Sequence, residues 1–453
     1  MLFNSLTFIL IFLPVLLVCY FFVNDKNKNY ILLIFSILFY AWGEPKFVFL
    51  ILLSIFINYY FSKYISKSKK KKTLLILSLF LNFLLLFVFK YLNSFIGIFE
   101  IILNRDFTDL NIILPIGISF YTFQVVSYII DVYRGDVKPA EGIVSLANYL
   151  LFFPQLIAGP IVRYTDINKQ FKKRVNSLEN VCDGIRLFII GLSKKVIISN
   201  SVGYIVDNIF IVDTRIDMFA IIFGMLSFTI QIYYDFSGYS DMALGLAKMF
   251  GFNIKENFNY PYISKSISEF WRRWHISLGT WFKDYVYIPL GGSRVSEIKW
   301  IRNIFIVWIL TGIWHGNTLN FLIWGVYFAV LLVIEKLFNK YICKIPNFIR
   351  WLVTFLCINF GFLIFRISDI NSYTYVNRSF LDFVRNYYYL INYIPYLILG
   401  YIFMFPIYSK IDDKFKNNNL YLFAKDIVLI LLFVLCIFGI VSNSYSPFIY
   451  FNF

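Results

Sequence analysis

The sequence predicts an all-α integral membrane protein, and three observations carry that prediction. The hydrophobic set makes up 59% of the 453 residues, against roughly 45–50% in a soluble chain. Charged residues are 15%, where about 25% is usual. The apolar residues also cluster into long runs with short polar breaks. A helix needs about 20 mostly apolar residues to cross the hydrocarbon.

In chain order the runs are residues 6–23, 31–41, 47–61, 74–89, 112–130, 219–232, 321–334, 351–365, 394–408 and 427–441. Several are too short for a full crossing, so the expected body holds about 10–12 transmembrane or re-entrant helices, some broken or tilted. No polar stretch is long enough to bury a core of its own, and residues 1–453 read as a single polytopic domain. The first run has no positive n-region and no small-residue cleavage site, so it reads as a retained span.

The net charge of +16 is concentrated in places that suit topology better than nucleic-acid binding. Lys63, Lys67 and Lys69 to Lys72 form one basic segment; Lys169, Lys172, Lys173 and Arg174 form another. Basic loops stay cytoplasmic. With 63–72 inside, the N-terminus and the 90–111 loop fall outside, and that loop, with Lys90, Glu100, Arg105, Asp106 and Asp109, has no basic excess. The five cysteines (Cys19, Cys182, Cys343, Cys357, Cys436) are scattered, offering neither a disulfide framework nor a metal site.

Texture changes along the chain. Residues 1–90 and 321–453 are plain hydrophobic spans, whereas 112–320 is peppered with Gly, Pro, Asp, Asn, Arg and His. Polar groups at membrane depth are costly and mark a cavity or pathway. The absence of an internal repeat argues against a transporter built from two related halves.

Five stretches stand out. In 264–278 a helix is expected with Ser268 as N-cap and Glu269 in its first turn. Helical spacing then puts Trp271, Trp274, His275 and Leu278 on one face. Arg272 and Arg273 either belong to an interfacial helix or meet an anionic ligand. Downstream, 285–294 reads as a short extended stretch ending in a Gly291-Gly292 turn, where Arg294 adds charge. In 310–317, His315 sits among Gly312, Gly316 and Asn317, and histidine is the commonest general base. The alternative for His315 is a packing hydrogen bond. In 233–242, Asp235 and Asp241 interrupt an apolar region and need partners such as Arg272, Arg273 or Lys248, with cation coordination as the alternative. Finally, Pro154, Gly159 and Pro160 break a span, which is tolerated only where backbone lines a cavity or is buried in protein. Serine-hydrolase elbow, zinc-protease, Walker and dinucleotide-binding patterns are all missing.

Together the strings LPIGISFY (114–121), YIIDVYRG (128–135), FPQLIAGP (153–160), YDFSGYSDM (234–242), ENFNYPYI (256–263), EFWRRWHISL (269–278) and WHG (314–316), with YAW at 40–42, resemble the membrane-bound O-acyltransferase (MBOAT) family. The branch they resemble acts in bacterial alginate and peptidoglycan O-acetylation. The likeness covers residues 1 to about 335, with a motif-bearing core of about 112–335; the tail is matched mainly by Phe365-Arg366.

The resemblance implies helices around a central tunnel, His315 as the proposed catalytic histidine, and His275 as the second, helix-borne one. Beside those two histidines, the residues themselves suggest substrate contacts from Arg272, Arg273, Trp274, Asp235, Asp241, Asn317 and Arg294. The resemblance further implies acetyl transfer from a cytosolic thioester (acetyl-CoA or an acyl carrier, bound as substrate rather than cofactor, with no metal) to cell-surface polysaccharide. The expected setting is the bacterial cytoplasmic membrane, with extracytoplasmic acetyltransferase partners. D-alanyl transfer to teichoic acid by the related branch, a polysaccharide or lipid transporter, and a non-catalytic scaffold remain the alternatives at this stage.

Overall fold

Each of the ten apolar runs folds as helix, and lengths and breaks set their roles. The computed structural model describes residues 1–105, 110, 112–212, 215–367, 373–442 and 448–449. Six helices are long and apolar enough to cross a membrane: Pro45–Lys67, Lys71–Lys90, Met218–Met249, Leu319–Leu337, Asn347–Arg366 and Asn419–Ser442. The bent pair Phe380–Phe403 and Ile407–Phe415, which turns by 59°, adds a seventh if it counts as one span. Phe8–Phe22 and Lys28–Gly43 are apolar but shorter. The run expected at 112–130 becomes Ile118–Arg134, buried along most of its length. The expected outer loop at 90–111 carries the helix Leu92–Leu103; Asp106, Asp109 and Asn111 lie outside the described residues.

The chain forms two compact units. One comprises Met1–Ile185 with Ala243–Lys255, the other Arg186–Met242 with Glu256–Phe453. In the first, Asn58, Ser78 and Asn82 tie Pro45–Lys67 to Lys71–Lys90 by buried hydrogen bonds, Asn82 Nδ2 donating to Asn58 Oδ1 at 2.9 Å. Such polar pairs hold helices together where lipid gives no hydrophobic drive. Arg174 donates to Tyr20 Oη at 2.8 Å and Asn29 Oδ1 at 2.7 Å. Its guanidinium also stacks 4.6 Å from the Phe252 ring centroid. Lys172 pairs with Glu141 and, by hydrogen bond and charge, holds that carboxyl below its usual range, with the Lys63 charge adding to the effect. Lys63 of one basic segment and Lys172 of the other thus act on the same carboxylate. The Pro154–Pro160 break is a single short turn, Phe153–Leu156, followed by buried non-helical backbone.

The second unit holds helices Glu297–His315 and Leu319–Leu337 and a two-residue parallel strand pair, Arg215–Ile216 with Thr374–Tyr375. Here glycine decides the packing. A Cβ on Gly312 would sit 2.4 Å from the Phe321 carbonyl oxygen, and one on Gly325 would sit 2.4 Å from that of Trp308. Both obstacles are backbone, so neither can step aside. Overpacking of this kind costs about 1–3 kcal/mol. Gly312→Ala should accordingly lower the melting temperature of the detergent-solubilised protein; unchanged melting would mean the two helices part without cost.

Candidate functional site

The site begins with a break in a helix. The segment expected to be one continuous helix through 264–278 is two: Ile267–Arg273 and Ile276–Phe282. Its N-cap is Ser266, two residues earlier than expected, whose side chain accepts from Glu269 N at 3.1 Å. Glu335 reinforces this end, accepting from Ile267 N at 2.5 Å, where a carboxylate suits the positive end of the helix.

At the break, Trp274 is extended and His275 takes a left-handed conformation, φ 45° and ψ 54°. Non-glycine residues rarely adopt it, and strain of this kind gathers where the surroundings over-determine a functional position. What over-determines it is the irregular run at 257–259. Asn259 N donates to Arg273 O at 2.9 Å and Ile276 N to Asn257 O at 3.0 Å. The Asn257 side-chain oxygen accepts from Ser277 N at 3.0 Å and meets His275 Nδ1 at 3.2 Å. A backbone N–H fixes that amide oxygen as an acceptor, so His275 Nδ1 carries the proton and Nε2 the lone pair of the neutral ring.

Despite the break, Trp271, Trp274, His275 and Leu278 converge, because they line one cavity of about 440 Å³. His315 lines it too, as the last residue of Glu297–His315. The ring of Trp314 lies 4.9 Å from His315 and 6.3 Å from His275, joining the two histidine sites. His315 also packs edge-on against Trp324 at 5.1 Å and Phe365 at 5.3 Å. The glycines around it serve close packing, since a Cβ on Gly316 would lie 2.1 Å from the Phe321 ring. Phe365, the one tail motif legible in the sequence, thus reaches the site, while Arg366 pairs with Asp207 at 3.5 Å.

The remaining predicted residues divide. Arg272 is exposed and lines the cavity, as does Lys283, so two cations stand at its edge. Arg273 does not line it; Glu269 holds it at 3.1 Å, and it donates to Asn259 O at 3.2 Å. Asn317 and Arg294 are exposed and outside the lining. The 285–294 stretch is helical at Lys283–Tyr287 rather than extended, though Gly291 and Gly292 do turn with positive φ.

The two carboxylates pair with lysines other than the expected partners. Asp235 pairs with Lys195, and Asp241 with Lys194 at 2.6 Å. Lys248 pairs with Asp183 instead, at 2.7 Å. Arg272 and Arg273 lie on another helix, whereas Lys194 and Lys195 occupy a π-helical turn, Lys194–Ser199. Lys194 and Lys195 carried no motif, and neither did Trp308, Trp324 and Lys283; Asn257 stood out only as part of a family string. Among the described residues no three His, Cys, Asp or Glu side chains group as a metal site.

A multi-pass helical membrane protein with two histidines on one cavity is the class that fold and site define. Residues 141–346 match the model of the membrane-bound O-acyltransferase family. The chain is 40% identical over 379 residues to the "probable alginate O-acetylase AlgI" of Pseudomonas aeruginosa, covering 82% of this chain and 73% of that one. It is 34% identical over 489 residues to the Pseudomonas putida protein of the same name, across the whole of both. A peptidoglycan O-acetyltransferase of Helicobacter pylori is 36% identical over 411 residues, covering 82% and 78%. The chain belongs to the membrane-bound O-acyltransferase family. It is an acyltransferase, and the transporter and scaffold readings fall away.

Proposed function

We propose that this chain carries an acetyl group from a cytosolic thioester to a hydroxyl of cell-surface polysaccharide, an alginate-like polymer or peptidoglycan. It would do so in the bacterial cytoplasmic membrane, with an extracytoplasmic partner protein at the outer face. The observation that carries the reading is the cavity shared by His275 and His315, with Arg272 and Lys283 at its edge. His315 takes the proton of the acceptor hydroxyl as that oxygen attacks the thioester carbonyl. His275, its tautomer fixed by Asn257, orients the acceptor through Nε2. Arg272 meets the anionic part of the donor, and relatives named for O-acetylation of alginate and of peptidoglycan support the acceptor class.

Membranes containing the protein should release donor thiol and esterify acceptor together; a protein doing neither would sink the proposal. Arg272→Gln should raise the donor KM about tenfold, the equivalent of about 1.4 kcal/mol for one exposed charge-assisted contact. Arg273→Gln should leave that KM in place and instead loosen the Ile267–Arg273 helix, visible as a lower melting temperature. An unchanged donor KM in Arg272→Gln would remove the donor-binding role.

A further inference from the structure

The cavity wall holds a polar group that the mechanism above does not use. Trp324, on helix Leu319–Leu337, lines the cavity and is 1% exposed, yet no atom among the described residues accepts from its indole Nε1–H. The same holds for Nε1–H of Trp271, whose ring meets that of Trp324 at 5.6 Å on the same wall. Indole is a donor only, so it has no second way to be satisfied. A buried donor left without an acceptor costs about 1–3 kcal/mol, and folded proteins retain few of them. The neighbours explain why this one stays. Trp324 is wedged among Phe328 at 5.3 Å, Phe365 at 5.4 Å and Trp308 at 5.7 Å, with its ring edge-on to His315 at 5.1 Å. Its orientation is set by packing rather than by a hydrogen bond, which keeps the donor in place and uncommitted.

We propose that Trp324 Nε1–H is a catalytic hydrogen-bond donor to the thioester carbonyl oxygen, stabilising the oxyanion that forms when the acceptor attacks. The inference rests on the acyl-transfer reading of this cavity. In the step itself, the acceptor oxygen forms a bond to the carbonyl carbon as its proton passes to His315. The carbonyl π electrons move onto the oxygen facing Trp324. They return as the C–S bond breaks, and the leaving sulfur takes the proton from His315 and departs as the thiol. A preorganised donor in a dry site acts most strongly on charge that exists only in the transition state.

The test replaces only the N–H. 3-Benzothienylalanine, incorporated at position 324 by nonsense suppression, keeps the bicyclic shape and puts sulfur in place of the N–H; Trp324→Phe is the natural counterpart. Initial rates of surface O-acetylation are measured in cells at matched membrane abundance, beside His315→Ala, and melting temperatures are taken on the solubilised proteins. The isostere should lower the rate about 10²-fold without changing the melting temperature. A wild-type rate with the isostere, while His315→Ala is inactive, overturns the oxyanion role and leaves the acyl-transfer reading standing. A lowered melting temperature shows that the N–H serves folding and equally overturns it. If His315→Ala keeps its rate, the reading of the cavity falls, and this inference falls with it.

Discussion

Replacing His315 with alanine should lower acyl transfer by about 10²–10⁴-fold, the contribution of a positioned general base. No other single change in the cavity should cost as much, because it removes the proton acceptor from the attacking hydroxyl. The ring is 4% exposed and gripped by Trp314, Trp324 and Phe365, so alanine also leaves a void. His315→Gln separates the two effects: it restores most of the volume but supplies no base. Both variants should be inactive, with His315→Gln melting closer to wild type. His275→Ala should lose less, since its ring is held by Asn257 at the helix break and orients rather than abstracts. The readout is surface O-acetyl content at matched membrane abundance. Near-normal acetylation with His315→Ala would end the base assignment, and a deeper loss at His275 would exchange the two roles.

How much of this was legible depends on range. The helices were, because ten apolar runs report a local property and all ten fold as helix. The helix break at Trp274–His275 was not. Residues 267–278 have helical spacing throughout, and what breaks them is Asn257 and Asn259, which bond to Arg273, His275 and Ile276 from a separate segment. The same reason hid the carboxylate partners. A buried aspartate announces that it needs a cation, but Lys194 and Lys195 lie 40 and more residues from their partners in sequence and belong to no motif. Gly312 accommodates the backbone of Phe321 on the next helix. Trp324 was invisible because an aromatic residue in an apolar run is indistinguishable from lipid-facing filler until its neighbours are known.

The Lys195–Asp235 pair is where loss of a single charge should cost the most stability. Both side chains are almost fully buried, at 4% and 1% exposure. Asp235 lies on the spanning helix Met218–Met249, where it also accepts from Ser199 Oγ at 3.4 Å and Ile449 N at 2.8 Å. Removing one partner of such a pair strands the other, at a cost of about 3–5 kcal/mol, whereas replacing both by apolar groups of similar volume is often neutral. Lys195→Met should therefore sharply reduce membrane abundance and melting temperature, and Asp235→Leu should do the same. The double variant should recover most of both. Lys194→Met should cost less, since Lys194 and Asp241 are 25% and 23% exposed and partly solvated. Acyl transfer by the double variant then decides the role of Asp235. Neither partner lines the cavity, so a stable double variant should transfer acyl groups at close to the wild-type rate. A stable but inactive one would return Asp235 to the substrate-binding role expected from the sequence.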